Sequence, residues 1–269
     1  MEYRKIDTFT YKKYQKNANK IIKKVCDYFI VDESKLGYQH IIKYFENEYN
    51  LHFHYLMYNF FTDFFDDATS FIPTKSDIKY PGLLSNPTIS TAEFEILSKC
   101  SGMTIPSGDK YLVMINQYEV PKSRVIFTIL HELSHIFCHL ENSSKKQLYV
   151  SLTEGADLDS YPDEIIPFED EANTVASILF LTGAKLEKAF ENNTTYAELI
   201  KLSGMSSPAL HNRIMNYLMH DIGMSEYNSL RHTLDYREGG ESIFRRVKEE
   251  KERKQLLIDL FEDDDFIFG

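Results

Sequence analysis

Cysteine is scarce in this 269-residue chain, which has three: Cys26, Cys100 and Cys138. Their number is odd, they lie far apart, and no two have the spacing of a metal-binding pair. That excludes a disulfide framework and a cysteine-ligated zinc, and it points to a reducing compartment. Long hydrophobic runs are missing too. Nothing approaches about 18 consecutive apolar residues, so no transmembrane helix is expected. No leader is expected either, because Met1-Glu2-Tyr3-Arg4-Lys5 opens a polar segment without an apolar core. The expected location is therefore the cytoplasm. Positive charge is in short supply, with 30 Lys and Arg against 41 Asp and Glu and a net charge of −11. Phosphate contacts need clustered Lys and Arg, so direct nucleic-acid binding is not expected, whereas a basic protein partner would suit the charge. No internal repeat is visible.

The 43% of apolar residues suffices for a core in one or two domains. Chemistry concentrates at His131-Glu132-Leu133-Ser134-His135, an HExxH sequence inside a segment that reads as a helix over 124–140. On a helix, positions i and i+4 differ by about 40° of rotation and roughly 6 Å of rise, so two imidazoles can close on one tetrahedral Zn²⁺. Glu132 lies beside them, where its carboxylate can take a proton from an attacking water and later deliver it to a leaving amine. Arg124, Thr128, Glu132, His135 and His139 fall in one sector of the helix and apolar residues fill the other, which predicts one buried face and one open polar face.

Two histidines need a third protein ligand for a catalytic zinc site. Downstream, Pro167 followed by Glu169-Asp170-Glu171 reads as a helix start, and Gly183 as its end. Glu169, Ala172, Asn173, Ala176 and Phe180 share one face, and small Ala172 and Ala176 would let this helix approach the first beside Ser134 and Cys138. Glu169 is the favoured ligand on that argument. Glu171 is the competing one, although it points about 160° away and its replacement is expected to do little. Asn173, one turn beyond Glu169, is placed to bond a zinc histidine and fix its tautomer. His139 is placed to support a ligand or line the cleft.

These segments resemble the ImmA/IrrE family of metallopeptidases. The resemblance rests on Ser101-Gly102-Met103-Thr104-Ile105, on Tyr111-Leu112-Val113-Met114-Ile115-Asn116, on the R-x-x-F-T-x-x-H-E-x-x-H run from Arg124 to His135, and on the E-x-x-A-N run from Glu169 to Asn173. It is specific over residues 102–181 and departs from the family at Ser134, where glycine is usual, and at Val175, where phenylalanine is usual. What it implies is an α+β fold with a zincin-like core, built from the HExxH helix and a small sheet. It also implies a cytosolic zinc peptidase acting on a helix-turn-helix transcriptional repressor within a regulatory pair. A non-catalytic module that binds a repressor or DNA through 196–223 is the alternative.

Around this core, helices are expected over 12–31 and 38–49, and a strand over 51–57 with His52 and His54 on one face. An irregular insertion at 62–90, a short helix at 91–99 and a hairpin of 103–105 with 111–115 follow. One hairpin strand is a candidate sheet edge for pairing with extended substrate. Residues 196–214 read as a helix-turn-helix-like pair, with Gly204 in the turn, Ser206 or Ser207 as cap, and a candidate reading face of His211, Asn212 and Arg213. The expected organisation is a peptidase domain at 1–190 with a helical N-terminal region and the 62–90 insertion, a helical unit at 191–240, and a charged helix with an acidic tail at 241–269, the tail being 261–269.

Overall fold

The computed structural model describes residues 5–56, 100–107, 110–116, 121–141, 149–152 and 163–264. The 62–90 insertion, the 91–99 helix and residues 265–269 of the tail lie outside the described residues. Those that are described form an α+β arrangement, mostly helical with one small mixed sheet, and divide into two compact units.

The first unit takes in Tyr14–Ile30 and Gly37–Phe180. Helix α1 (Thr8–Phe29) turns Tyr14, Ala18, Ile21, Ile22 and Val25 inward, the stripe that its helical spacing dictates, and each is buried. Helix α2 (Tyr38–Glu48) buries Ile41, Ile42, Tyr44 and Phe45. Strands β1 (Leu51–Leu56), β2 (Cys100–Ser107), β3 (Lys110–Asn116) and β4 (Tyr149–Leu152) form one sheet in the order β1-β3-β2-β4. β1 runs parallel to β3, and β2 is antiparallel to both β3 and β4. Val113 and Ile115 of β3, two residues apart and so on one face, are fully buried.

The hairpin is present, but neither of its strands is an edge. β3 is paired on both sides, and β2 takes up β4 over Cys100–Thr104, so the expected edge for substrate falls elsewhere. The four-residue β4 carries too little pattern to be read in advance.

Helix α3 (Lys122–His135) packs against α2, β2, β3 and β4, and against helix α4 (Ile166–Phe180). The expected open polar face does not appear. Thr128, Glu132 and His135 are buried along with Leu130 and Leu133, because β2 and α4 supply polar partners to that side. Beyond His135 the winding loosens into a π turn (Ile136–Leu140), closed by the Glu141 N–H donating to Ile136 O at 2.9 Å. Such turns break the 3.6-residue register and occur often at functional sites. Ala172 and Ala176 of α4 have no exposed surface, as the close approach to α3 requires.

The second unit takes in Ile6–Lys13, Val31–Leu36 and Leu181–Gly269, and is helical throughout its described part. α4 ends at Phe180, not at Gly183. Thr182 accepts a hydrogen bond from Lys185 N and so starts a new helix, α5 (Gly183–Glu191), in which the glycine is the first residue. Helices α6 (Tyr196–Ser203) and α7 (Ser207–Asn216) meet at Gly204, whose φ of 73° suits a residue without a side chain, and Ser206 caps α7. Arg213 is not on an exposed face. It is 1% exposed, with Nε donating to Leu181 O at 2.8 Å, and so is unavailable for reading bases. Helices α8 (Glu226–Arg237) and α9 (Ser242–Asp264) complete the unit, α9 running four residues into the segment expected to be a tail. Among the described residues no helix is long and apolar enough to cross a membrane.

Candidate metal centre

α3 carries His131 and His135 one turn apart, and their Nε2 atoms lie 2.9 Å from each other. The carboxylate of Glu169, in the first turn of α4, spans them with Oε2 at 3.3 Å from His131 Nε2 and Oε1 at 3.2 Å from His135 Nε2. All three side chains are buried, and they are the one group of three metal-binding side chains among the described residues. Ligand atoms about 2.0–2.1 Å from a tetrahedral zinc lie about 3.3 Å from one another, so the three donors already sit close to a coordination face.

Hydrogen bonds on the far sides of the rings decide which nitrogens are free. His131 Nδ1 lies 3.0 Å from Asn173 Oδ1, an amide oxygen that can only accept, so Nδ1 carries the hydrogen and Nε2 can offer its lone pair. His135 Nδ1 lies 2.9 Å from His139 Nδ1. Two imidazole nitrogens and a carboxylate converging at these distances form a group that could hold a metal ion, and histidine nitrogen with carboxylate oxygen is a donor set that suits a divalent transition metal.

Without a metal, the site shares charge within itself. Burial would raise the Glu169 carboxyl, but the two histidines beside it, His131 first, hold it down at about 2. Burial would lower the His131 imidazole, yet Glu169, with help from Glu132 and Asn173, carries it above its ordinary value. His135 is pushed down to about 4 by burial, with His131 and His139 adding to the fall against the pull of Glu169.

A stability signature follows. An unfolded chain takes a proton on this imidazole below about 6.5, while the folded chain refuses it until about 4. The metal-free protein therefore loses stability as pH falls from about 6.5 to about 4. The contribution of His131 is complete below 6.5, and that of Glu169 is lost only as pH falls from 4.5 towards 2. Unfolding in chelator across pH 7 to 4 should show the decline, and His135→Asn should make it shallower. Equal slopes in the two proteins would count against this account.

Glu132 is fully buried and is held from β2. Thr104 Oγ1 donates to Glu132 Oε2 at 2.6 Å. Two residues away on the same face of the strand is Gly102, where a Cβ would lie 2.6 Å from Thr128 Cγ2 and 2.8 Å from Glu132 Oε1. The pairing with β4 shifts register between Cys100 and Gly102, and at this bulge Ser101 accepts a hydrogen bond from Arg124 Nη2 at 3.2 Å. β2 thus reaches α3 both through a hydroxyl and through the lack of a side chain.

Sequence reasoning missed Thr104 and gave Glu171 the wrong surroundings. Thr104 lay within a recognised strand, but a strand-to-helix bond is a tertiary contact without a local signal. Glu171 was expected to face away from α3, yet its Oε2 lies 3.3 Å from His139 Nε2. His139, to which Glu171 turns, lies in the π turn at Ile136–Leu140, where the α register that defines its sector of the wheel no longer holds.

A buried pair of histidines one turn apart, closed by a carboxylate from a second helix and adjoined by a buried glutamate, defines a metal-centre arrangement. Residues 97–215 match the model of the peptidase M78 family, described as an IrrE N-terminal-like domain, in agreement with the ImmA/IrrE resemblance. The match runs well past residue 181, through α5 and α6 and nearly to the end of α7. No curated protein matches the chain.

Proposed function

We propose that the chain is a cytosolic zinc-dependent endopeptidase that cuts a helix-turn-helix transcriptional repressor. The observation that carries the reading is the convergence of His131 Nε2, His135 Nε2 and the Glu169 carboxylate within 3.3 Å, with Glu132 next to them on the same helix. The family match to a peptidase domain supports it. His131, His135 and Glu169 would hold the ion, which when bound polarises a peptide carbonyl and makes a water more acidic. Glu132 accepts the proton of the attacking water and returns it to the leaving amine. Thr104 fixes one oxygen of that carboxylate, so that its rotation is settled before substrate arrives. Asn173 keeps His131 in the tautomer whose Nε2 is free.

Gly102→Ala tests the positioning of Glu132 without touching a ligand. The added Cβ must displace the Glu132 carboxylate or Thr128, because β2 is pinned by neighbours on both sides. Hydrolysis should fall by on the order of 100-fold, the scale of an ångström-sized misplacement, while zinc affinity stays near the parent value. Parent-level cleavage by this variant would show that β2 does not set the carboxylate.

The substrate class is tested with a purified helix-turn-helix repressor, chosen from the reading frames adjoining this chain's own where one encodes such a protein. Incubated with the zinc-loaded protein it should be cut, the cut should stop on adding a chelator, and zinc should restore it. Regulation of the repressor that persists unchanged in chelator would replace this reading with a binding role.

A further inference from the structure

The two histidines are supported unequally. His131 Nδ1 meets a neutral amide, that of Asn173. His135 Nδ1 meets a third histidine, and behind it a chain continues: His139 Nε2 lies 3.3 Å from Glu171 Oε2, and Asn17 Nδ2 donates to Glu171 Oε1 at 2.8 Å. The ring of Phe168 stands edge-on to His139, with centroids 5.1 Å apart at 90°, and restrains it. All of these residues lie in the first unit.

We propose that Glu171, acting through His139, selects the tautomer of His135 that leaves Nε2 free for a metal. Resting on the metal-centre reading, the inference adds Glu171, His139 and Asn17 as positioning residues.

The logic is one of donors and acceptors. A neutral imidazole has one of each, and an ionised carboxylate can only accept. Glu171 therefore demands a hydrogen on His139 Nε2, which leaves His139 Nδ1 as an acceptor. That nitrogen in turn demands a hydrogen on His135 Nδ1 and leaves His135 Nε2 with its lone pair, which in the metal-free chain faces His131 Nε2 at 2.9 Å, so that the hydrogen Glu169 accepts comes from His131. Every link from Asn17 to His135 is then a donor facing an acceptor. Reversing the polarity at Glu171 reverses the chain: with hydrogen on His139 Nδ1, His135 would have to accept there and carry its own hydrogen on Nε2, where the metal should sit. Asn17 makes this reversal accessible. Its amide already donates to one oxygen of residue 171, so a glutamine there would turn its carbonyl to Asn17 and its NH₂ to His139.

The experiment uses the full-length chain, histidine-labelled with ¹⁵N and metal-free at neutral pH. Long-range ¹H–¹⁵N correlation reads the tautomer of each ring, and zinc affinity is measured by competition with a chromophoric chelator. In the parent protein His135 should carry its hydrogen on Nδ1. Glu171→Gln should move it to Nε2 and weaken zinc binding about 10- to 100-fold, the usual scale for losing a partner of a ligating histidine. The double variant Asn17→Asp with Glu171→Gln places an acceptor opposite the glutamine NH₂ and returns its carbonyl to His139. It should restore the Nδ1 tautomer and most of the affinity, a rescue that loss of packing would not allow.

An unchanged His135 tautomer in Glu171→Gln, or no recovery in the double variant, overturns the inference. Failure of the parent protein to take up zinc while its His135 shows the Nδ1 tautomer and the variants behave as stated would overturn the metal-centre reading and leave the hydrogen-bond chain standing.

Discussion

Replacing Glu132 by glutamine is expected to abolish peptide hydrolysis and to leave the metal in place. The two effects separate because Glu132 is not among the three convergent donors, which are His131, His135 and Glu169. Glutamine has the shape of glutamate, and its amide oxygen can still accept the Thr104 hydroxyl, so the packing of β2 on α3 survives. What is lost is the ability to take a proton. A positioned general base contributes on the order of 10² to 10⁴ in rate, and the loss should fall within or above that range because the same group also serves the leaving amine. Zinc content and repressor cleavage, measured on the same preparation, decide it. Cleavage at the parent rate would mean that the proton goes elsewhere and that the roles assigned to this helix are wrong.

Glu169→Gln should have the opposite signature, losing metal first and activity as a consequence. The parent carboxylate bridges His131 and His135, and the two histidines hold it ionised well below the ordinary carboxylate range in spite of burial. Its amide replacement is neutral and is a poor ligand. Zinc affinity should drop by on the order of 10- to 100-fold or more, at least as much as losing a group that only supports a ligand. The fold should persist, because α4 packs closely on α3 and buries Ala172, Val175 and Ala176 whatever stands at position 169. A zinc titration of this variant that matches the parent would remove Glu169 from the ligand set, and with it the reason for placing the start of α4 against His131.

These expectations draw on features that differ in how plainly the sequence displays them. The HExxH helix is legible because the spacing of His131 and His135 fixes their relation within a single turn, whatever the rest of the chain does. Glu169 is legible for a related reason: it shares a face with Ala172 and Ala176, and small residues on that face imply a close helix neighbour. Gly183 misled because glycine after a helix usually marks its end, whereas here Thr182 supplies a hydroxyl cap and the chain restarts at once. The bond of Thr104 to Glu132 spans 28 positions and has no periodicity to announce it. The link between Glu171 and His139 was hidden by the π turn that follows α3 and carries His139. Arg213 reads as part of an exposed face from its place beside His211 and Asn212, but its burial is a tertiary fact, tied to a carbonyl 32 positions away.

The most direct test of the metal-centre account is an anomalous-difference map at the zinc edge from crystals of the full chain grown with zinc. The account predicts one strong peak per chain, within coordination distance of His131 Nε2, His135 Nε2 and the Glu169 carboxylate, with Glu132 adjoining but not ligating. A peak that excludes either histidine, takes Glu171 in place of Glu169, or lies elsewhere in the chain would contradict it.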